Sequence, residues 1–155
     1  MTTANRGKSA EKAIATYLSE LSQKVAAFDW HRQYDARSAG GRFPAQPGDF
    51  AFYSAASVGF FKIPSHGLIE VKEVEHDYRL PKKNFEKEQI AKLRKRELAG
   101  GKIAVVVNFT TTKKWVLVPL KFFRENLDLP SWDLRGFKQY DKAREALDTF
   151  FSQEI

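Results

Sequence analysis

The stretch Gly67 to Val74, GLIEVKEV, decides the fold. Side chains alternate between the two faces of a strand, so Leu68, Glu70, Lys72 and Val74 project to one side and Ile69 and Val71 to the other. Apolar residues fall on both faces, which is the pattern of an interior strand covered on both sides. Such a strand delivers a carboxylate and an ammonium together to one buried face of a sheet. Groups of that kind are rarely buried without partners.

Downstream of this strand, Asn84 is placed to cap a helix running to about Ala99, and Gly100-Gly101 to stop it. KIAVVVNF, from Lys102 to Phe109, has the β-branched content of a second strand buried on both faces. TTTKK then turns the chain into the strand WVLVPL. A closing helix is expected over about residues 138 to 153, with Tyr140, Ala143, Leu147 and Phe151 on one face.

Upstream, the aromatic run DFAFYSAASVGFFKI from Asp49 reads as one or two strand pieces broken near Ser57 to Gly59. Before it come a strand in FDWHRQY, from Phe28, and a loop in DARSAGGRFPAQP, from Asp35, that carries Arg37 and Arg42. Residues 8 to 27 form an amphipathic helix, with Ile14, Leu18, Leu21 and Val25 on one side and Lys12, Glu20 and Lys24 on the other. The order helix, strands, helix, strands, helix gives an α/β fold, a central mixed β-sheet flanked by helices in two or three layers.

The length of 155 residues, 43% of them hydrophobic and 13 of them Phe, suits one domain with a substantial core. Zero Cys excludes thiol nucleophiles, disulfide frameworks and Cys-containing zinc sites. His31, His66 and His76 are dispersed and make no ligand pair at helical spacing. The formal charge of +7, from 26 Lys and Arg against 19 Asp and Glu, favours a polyanionic partner, with simple solubility as the alternative. The start, MTTANRGKSAEK, has no apolar segment and no later run reaches bilayer length, so a cytoplasmic protein with no membrane partner is expected.

A carboxylate beside an ammonium suits phosphodiester hydrolysis. The acid can hold a hard divalent cation through oxygen, while the ammonium orients water or stabilises charge developing on phosphate. Magnesium takes one or two protein carboxylates, and Asp49, at a strand start after Pro47-Gly48, is the candidate for the second. Two further polar groups interrupt apolar faces. The stripe of the first helix, extended back from Ile14, lands on Glu11, and Gln89 lies between Phe85 and Leu93 at successive four-residue steps. Polar groups so placed need buried partners, whether catalytic or structural.

The arrangement P-G-D-F from Pro47, followed by I-E-V-K from Ile69, resembles the PD-(D/E)xK nuclease superfamily. Further residues resemble the RecU branch of Holliday junction resolvases: GKSAE at Gly7 to Glu11, DF at Asp49 and Phe50, EVK at Glu70 to Lys72, Gln89, and GGKIAVVVNF from Gly100. The likeness covers about residues 7 to 123, although AQPG before Asp49 stands where close RecU relatives carry a Thr-containing run. The resemblance implies a single nuclease domain over residues 1 to 155, with a restriction-endonuclease-like core. It implies Glu11, Asp49, Glu70, Lys72 and Gln89 as catalytic groups, and Asp49, Glu70 and the Val71 carbonyl as ligands of Mg²⁺, with Mn²⁺ a possible substitute.

The function so implied is a metal-dependent endonuclease of a bacterial or phage-infected cell that resolves Holliday junctions or other branched DNA, acting as a homodimer. Arg37 and Arg42, in the counterpart of the family's junction-entering stalk, and Lys82 and Lys83, before the helix, are the expected DNA-binding residues. Two other readings keep the same residues: a repair or restriction-type nuclease acting on linear or single-stranded DNA, and a non-catalytic DNA-binding module. Trp30, Trp115 and Trp132 read as core, with a subunit contact as the alternative for Trp132.

Overall fold

The computed structural model describes residues 8–33, 48–55 and 64–152. Arg37, Arg42 and the expected break at residues 57–59 lie outside the described residues. In chain order the elements are α1 (Lys8–Lys24), β1 (Phe28–Arg32), β2 (Phe50–Ser54), β3 (Ser65–Val74), β4 (Arg79–Pro81), a 3-10 turn (Lys82–Asn84), α2 (Gln89–Leu98), β5 (Lys102–Phe109), β6 (Lys114–Val118), α3 (Leu120–Glu125), β7 (Ser131–Asp133) and α4 (Ala143–Phe151).

Five strands form a mixed sheet in the order β1-β2-β3-β5-β6. The strand that carries Glu70 and Lys72 is its middle member, antiparallel to β2 and parallel to β5. A parallel neighbour requires a crossover, and α2 lies in the connection that makes it. β1, β2 and β3 lie side by side in chain order, each pair antiparallel.

The alternation read from GLIEVKEV divides the core in two. Ile69 and Val71 pack with Ile14, Leu18 and Leu21 of α1 and Leu147, Phe150 and Phe151 of α4. Leu68 and Val74 pack on the other face with Ile90 and Leu93 of α2 and Leu120 and Phe123 of α3. In β5, Ala104 and Val106 join the first cluster and Val105, Val107 and Phe109 the second, so both faces of this strand are covered as well. The result is the three-layer form of the α/β sandwich, and burial of these side chains is its main source of stability.

The close approach of β3 and β5 depends on Gly67. A Cβ there would stand 1.9 Å from the carbonyl oxygen of Lys102, its partner in the parallel register. No larger residue fits without moving one strand.

Several boundaries differ from the sequence reading. The second helix begins at Gln89, not Asn84, because Glu88 takes a left-handed conformation at φ 67 and interrupts any helix running through it. Its end is as expected, with Gly100 at φ 97. The last helix starts at Ala143, since Tyr140 instead exchanges two backbone hydrogen bonds of 2.8 Å with Trp115. Helix α3 and the two-stranded sheet of β4 and β7 were not anticipated. Trp132, on β7, is 1% exposed and its indole N–H donates to the Asn126 carbonyl at 2.9 Å, which removes it from any subunit contact.

Candidate active site

The registered pairing of β2 with β3 ends at Phe50 and Ile69. One residue earlier, the Asp49 N–H still donates to the Ile69 carbonyl at 3.0 Å, and the Asp49 carbonyl accepts from Gln33 N–H at 2.8 Å. The Asp49 side chain then reaches along β3, and its Oδ2 accepts a 2.7 Å hydrogen bond from Val71 N–H. Gly48 keeps this turn close to β3, since a Cβ on it would stand 3.1 Å from that of Leu68. In a strand the N–H and C=O of one residue point to the same edge, so the Val71 carbonyl is directed to the edge where Asp49 stands.

Glu70 and Lys72 share the face of β3 that meets α2. Glu70 is 3% exposed; its Oε1 lies 2.9 Å from Lys72 Nζ, and its buried Oε2 has no hydrogen-bond partner among the described residues. Lys72 Nζ has two further acceptors, the Asn84 carbonyl at 2.8 Å and Gln89 Oε1 at 3.2 Å. An ammonium has three donors, and the three acceptors match them. The same nitrogen sits 4.5 Å from the centroid of the Phe85 ring, a cation–π contact that further fixes it.

The irregular turn before α2 explains how these acceptors come together. Asn84 does not cap the helix; its carbonyl faces Lys72, and Phe85 is free to lie under the ammonium. Glu88, in its left-handed conformation, brings the chain into α2 with Gln89 turned inward. Gln89 Oε1 accepts from both Lys72 Nζ and Glu86 N–H, each at 3.2 Å. The buried amide anticipated from the sequence therefore holds the turn and the ammonium in one arrangement.

Glu11 approaches from α1. It is paired with Arg32 at 2.9 Å, and its charge is one of the influences that raise the Asp49 carboxyl. Asp49 thus stands near two other acids, Glu11 and Glu70, and of the three only Glu70 is shown paired with the Lys72 ammonium. Burial first, and then the charge of Glu70, push the Asp49 carboxyl up to about 9, although Val71 N–H and its partial positive charge pull the other way. Glu70 is also raised, by burial above all, against the lowering effects of Lys72 and Gln89. The two acids titrate as a pair that does not readily hold two negative charges.

The sequence thus brought Glu11, Asp49, Glu70, Lys72 and Gln89 into one reading, and the fold brings all five together. Arg32, Asn84 and Phe85 were missed. Arg32 depends on how β1 docks, Asn84 contributes only a backbone atom, and Phe85 looked like ordinary core. Lys82 and Lys83 lie on the exposed 3-10 turn just before Asn84, where Lys82 Nζ donates to the Leu127 carbonyl. Of the histidines, His76 accepts backbone N–H bonds from Tyr78 and Arg79 through Nδ1, and His31 stacks on Tyr53.

No family model and no curated protein matches this chain.

What the site can do therefore follows from its donor set. Among the described residues no three His, Cys, Asp or Glu side chains form a ready metal-binding group. The oxygens on offer are the paired carboxylates of Asp49 and Glu70 with the Val71 carbonyl, a set suited to a hard cation that retains several waters. The buried Oε2 of Glu70 and the raised Asp49 carboxyl both fit such an ion, which would supply the missing positive charge. A separate cleft of about 510 Å³, lined by Ile103, Leu117, Phe137 and Tyr140 among others, contains none of these groups. Among the described residues no helix is long and apolar enough to cross a membrane.

Proposed function

We propose that this chain is a magnesium-dependent endodeoxyribonuclease of the PD-(D/E)xK type, with a restriction-endonuclease-like core. The observation that carries the reading is the buried Oε2 of Glu70, without a partner among the described residues, beside an Asp49 carboxyl that burial and Glu70 push up to about 9. Two crowded acids and an immobilised ammonium form a poor structural core, because breaking even with a hydrophobic replacement requires complete pairing. They form a good site for a divalent cation and a phosphodiester.

In this reading Asp49, Glu70 and the Val71 carbonyl hold Mg²⁺, with Mn²⁺ as a substitute. A cation held there would supply Lewis-acid stabilisation of the phosphate and activation of the attacking water. Lys72, held by Gln89 and Asn84, keeps a positive charge next to the reacting oxygens without reorganising. Glu11 adds a further acid at the edge and accepts a proton or a water hydrogen. Lys82, Lys83, Arg37 and Arg42 contact backbone phosphates, which gives salt-sensitive affinity with little sequence information.

The substrate follows from the RecU resemblance: a four-way junction or other branched DNA, cut by a homodimer whose two sites match the two-fold symmetry of the junction. Such an activity belongs to the cytoplasm of a bacterial or phage-infected cell.

The test is to incubate the protein with a four-way junction, a linear duplex and a single strand, each with Mg²⁺, Mn²⁺ or EDTA. Paired symmetric nicks on the junction, abolished by EDTA and by Asp49→Asn, are expected. Equal cutting of the linear duplex would overturn junction selectivity alone. The absence of cutting on every substrate with either metal would overturn the nuclease reading and leave a DNA-binding module.

A further inference from the structure

We infer that Arg32 is a substrate-binding residue that takes a phosphate oxygen of the DNA at the mouth of the acid cluster, exchanging Glu11 for the phosphate. The inference rests on the nuclease reading and assigns a residue that the motif does not include.

Arg32 is the last residue of β1 and stands opposite Phe50 in the register, one position from Asp49. Its Nη2 lies 2.9 Å from Glu11 Oε2, and its guanidinium carbon is 5.9 Å from the centroid of the Phe50 ring. The guanidinium is thus placed by an acid and an aromatic face at the edge of the site. The two partners differ in access: the Arg32 side chain is 45% exposed and that of Glu11 19%.

A polyanion approaching Glu11, Asp49 and Glu70 meets three acids, so a cation must stand where the phosphate arrives. Lys72 cannot extend to the surface to serve. Its side chain is 11% exposed and its three donors are matched to Glu70, Asn84 and Gln89. Arg32 is half-open and carries five donors in a planar fork that matches phosphate oxygens. As a stabilising device its pairing would achieve little, since exposed ion pairs lose most of their Coulomb energy to solvent. A phosphodiester presents Arg32 with a similar oxygen pair, and the exchange leaves Glu11 beside Asp49 and free to face a cation or its water.

The experiment measures binding of a four-way junction to wild type, Arg32→Ala and Arg32→Lys in EDTA over a range of salt, with cleavage in Mg²⁺ measured in parallel. Loss of one phosphate contact lowers the slope of log affinity against log salt by about one. Arg32→Ala is expected to show that drop and a KM raised about tenfold, as for one lost charge-assisted contact. Arg32→Lys is expected to restore the slope but not the full affinity, because a point charge lacks the fork.

If wild type cuts DNA and Arg32→Ala keeps its salt slope and KM, the Arg32 inference is overturned while the nuclease reading stands. If wild type binds the junction without cutting it, the nuclease reading falls and the slope comparison still decides Arg32. Failure of wild type to bind any DNA overturns both.

Discussion

The Asp49 carboxylate takes the place of a β-strand: its Oδ2 accepts the Val71 N–H at 2.7 Å just past the point where β2 stops pairing with β3. One bond thereby satisfies a backbone donor and fixes an acid next to the Glu70-Val71-Lys72 triplet. Asp49→Ala removes the acceptor and leaves that buried donor unpaired, whereas Asp49→Asn keeps an oxygen in reach of it. Asp49→Ala is therefore expected to be less stable than Asp49→Asn by about 1 kcal/mol, with both inactive on DNA. Denaturant unfolding of the pair checks the first statement and junction cleavage the second. Equal stability would show that the hydrogen bond to Val71 contributes nothing.

The raised Asp49 carboxyl has a definite consequence for stability. Burial and Glu70 push it up to about 9 from 3.8, so the folded state binds more protons than the unfolded one between those values. Stability from this group is fully present below about pH 4 and is lost as pH rises towards about 9. Thermal melts in EDTA should therefore show a falling Tm over that window, with a flatter profile for Asp49→Asn. Mg²⁺ should oppose the fall, because an ion replaces the proton and its binding to the folded state stabilises it. An EDTA profile that rises towards alkaline pH in wild type, with no difference in Asp49→Asn, would contradict the electrostatics of the site.

Lys72 is tied to three acceptors, so its loss affects more than catalysis. Lys72→Met leaves Glu70 Oε1, the Asn84 carbonyl and Gln89 Oε1 short of a donor. Breaking a buried pair from one side costs about 3 kcal/mol. The double variant Glu70→Gln, Lys72→Met should recover part of that loss and remain inactive, which a double-mutant cycle by denaturant unfolding would measure. Additive losses would mean that Glu70 and Lys72 do not interact in the folded protein.

The sequence revealed most of the layer that carries the acids, and the reasons are local. GLIEVKEV and KIAVVVNF each carry apolar residues on both faces, and both strands are buried on both sides. Glu11 and Gln89 stood out because each interrupts an apolar stripe, and both reach the site through their neighbours. The short elements were silent. β4 and β7 each have three residues and owe their existence to one another, and α3 follows Pro119 with little periodicity to reveal it. The start of α2 was misread because Asn84 is a good cap in isolation, while its carbonyl is committed to Lys72 across the fold. Arg32 was invisible for a similar reason: the register of β1 against β2, absent from any local pattern, puts it beside Glu11.

Gly67 offers a test of the sheet that is separate from the chemistry. A methyl group there overlaps the Lys102 carbonyl at 1.9 Å and approaches the Phe52 ring at 2.8 Å. Gly67→Ala must therefore push β5 or β2 away from β3 and is expected to cost roughly 1–3 kcal/mol or more. Denaturant midpoints check this, and a variant as stable as wild type would rule out the close β3 and β5 approach.

Gln89 separates positioning from binding most cleanly, because it meets Lys72 and the turn before α2 but lies below the surface where DNA would arrive. Its Oε1 accepts from Lys72 Nζ and from Glu86 N–H, and Gln89→Ala removes both bonds. Two such bonds are worth about 1–3 kcal/mol of stability together. The ammonium, released on one side, loses its fixed geometry, and a misplaced group of this kind lowers the rate by about tenfold to a hundredfold. That loss should fall on kcat and leave junction affinity in EDTA unchanged, because no phosphate contact is removed. Gln89→Glu keeps an acceptor oxygen but adds a charge beside Glu70, so it should hold Lys72 in place while raising the Glu70 carboxyl further. Its cleavage is then expected to need a higher pH than that of wild type. A Gln89→Ala variant with wild-type kcat and weakened DNA binding would place Gln89 at the DNA surface and remove it from the support of Lys72.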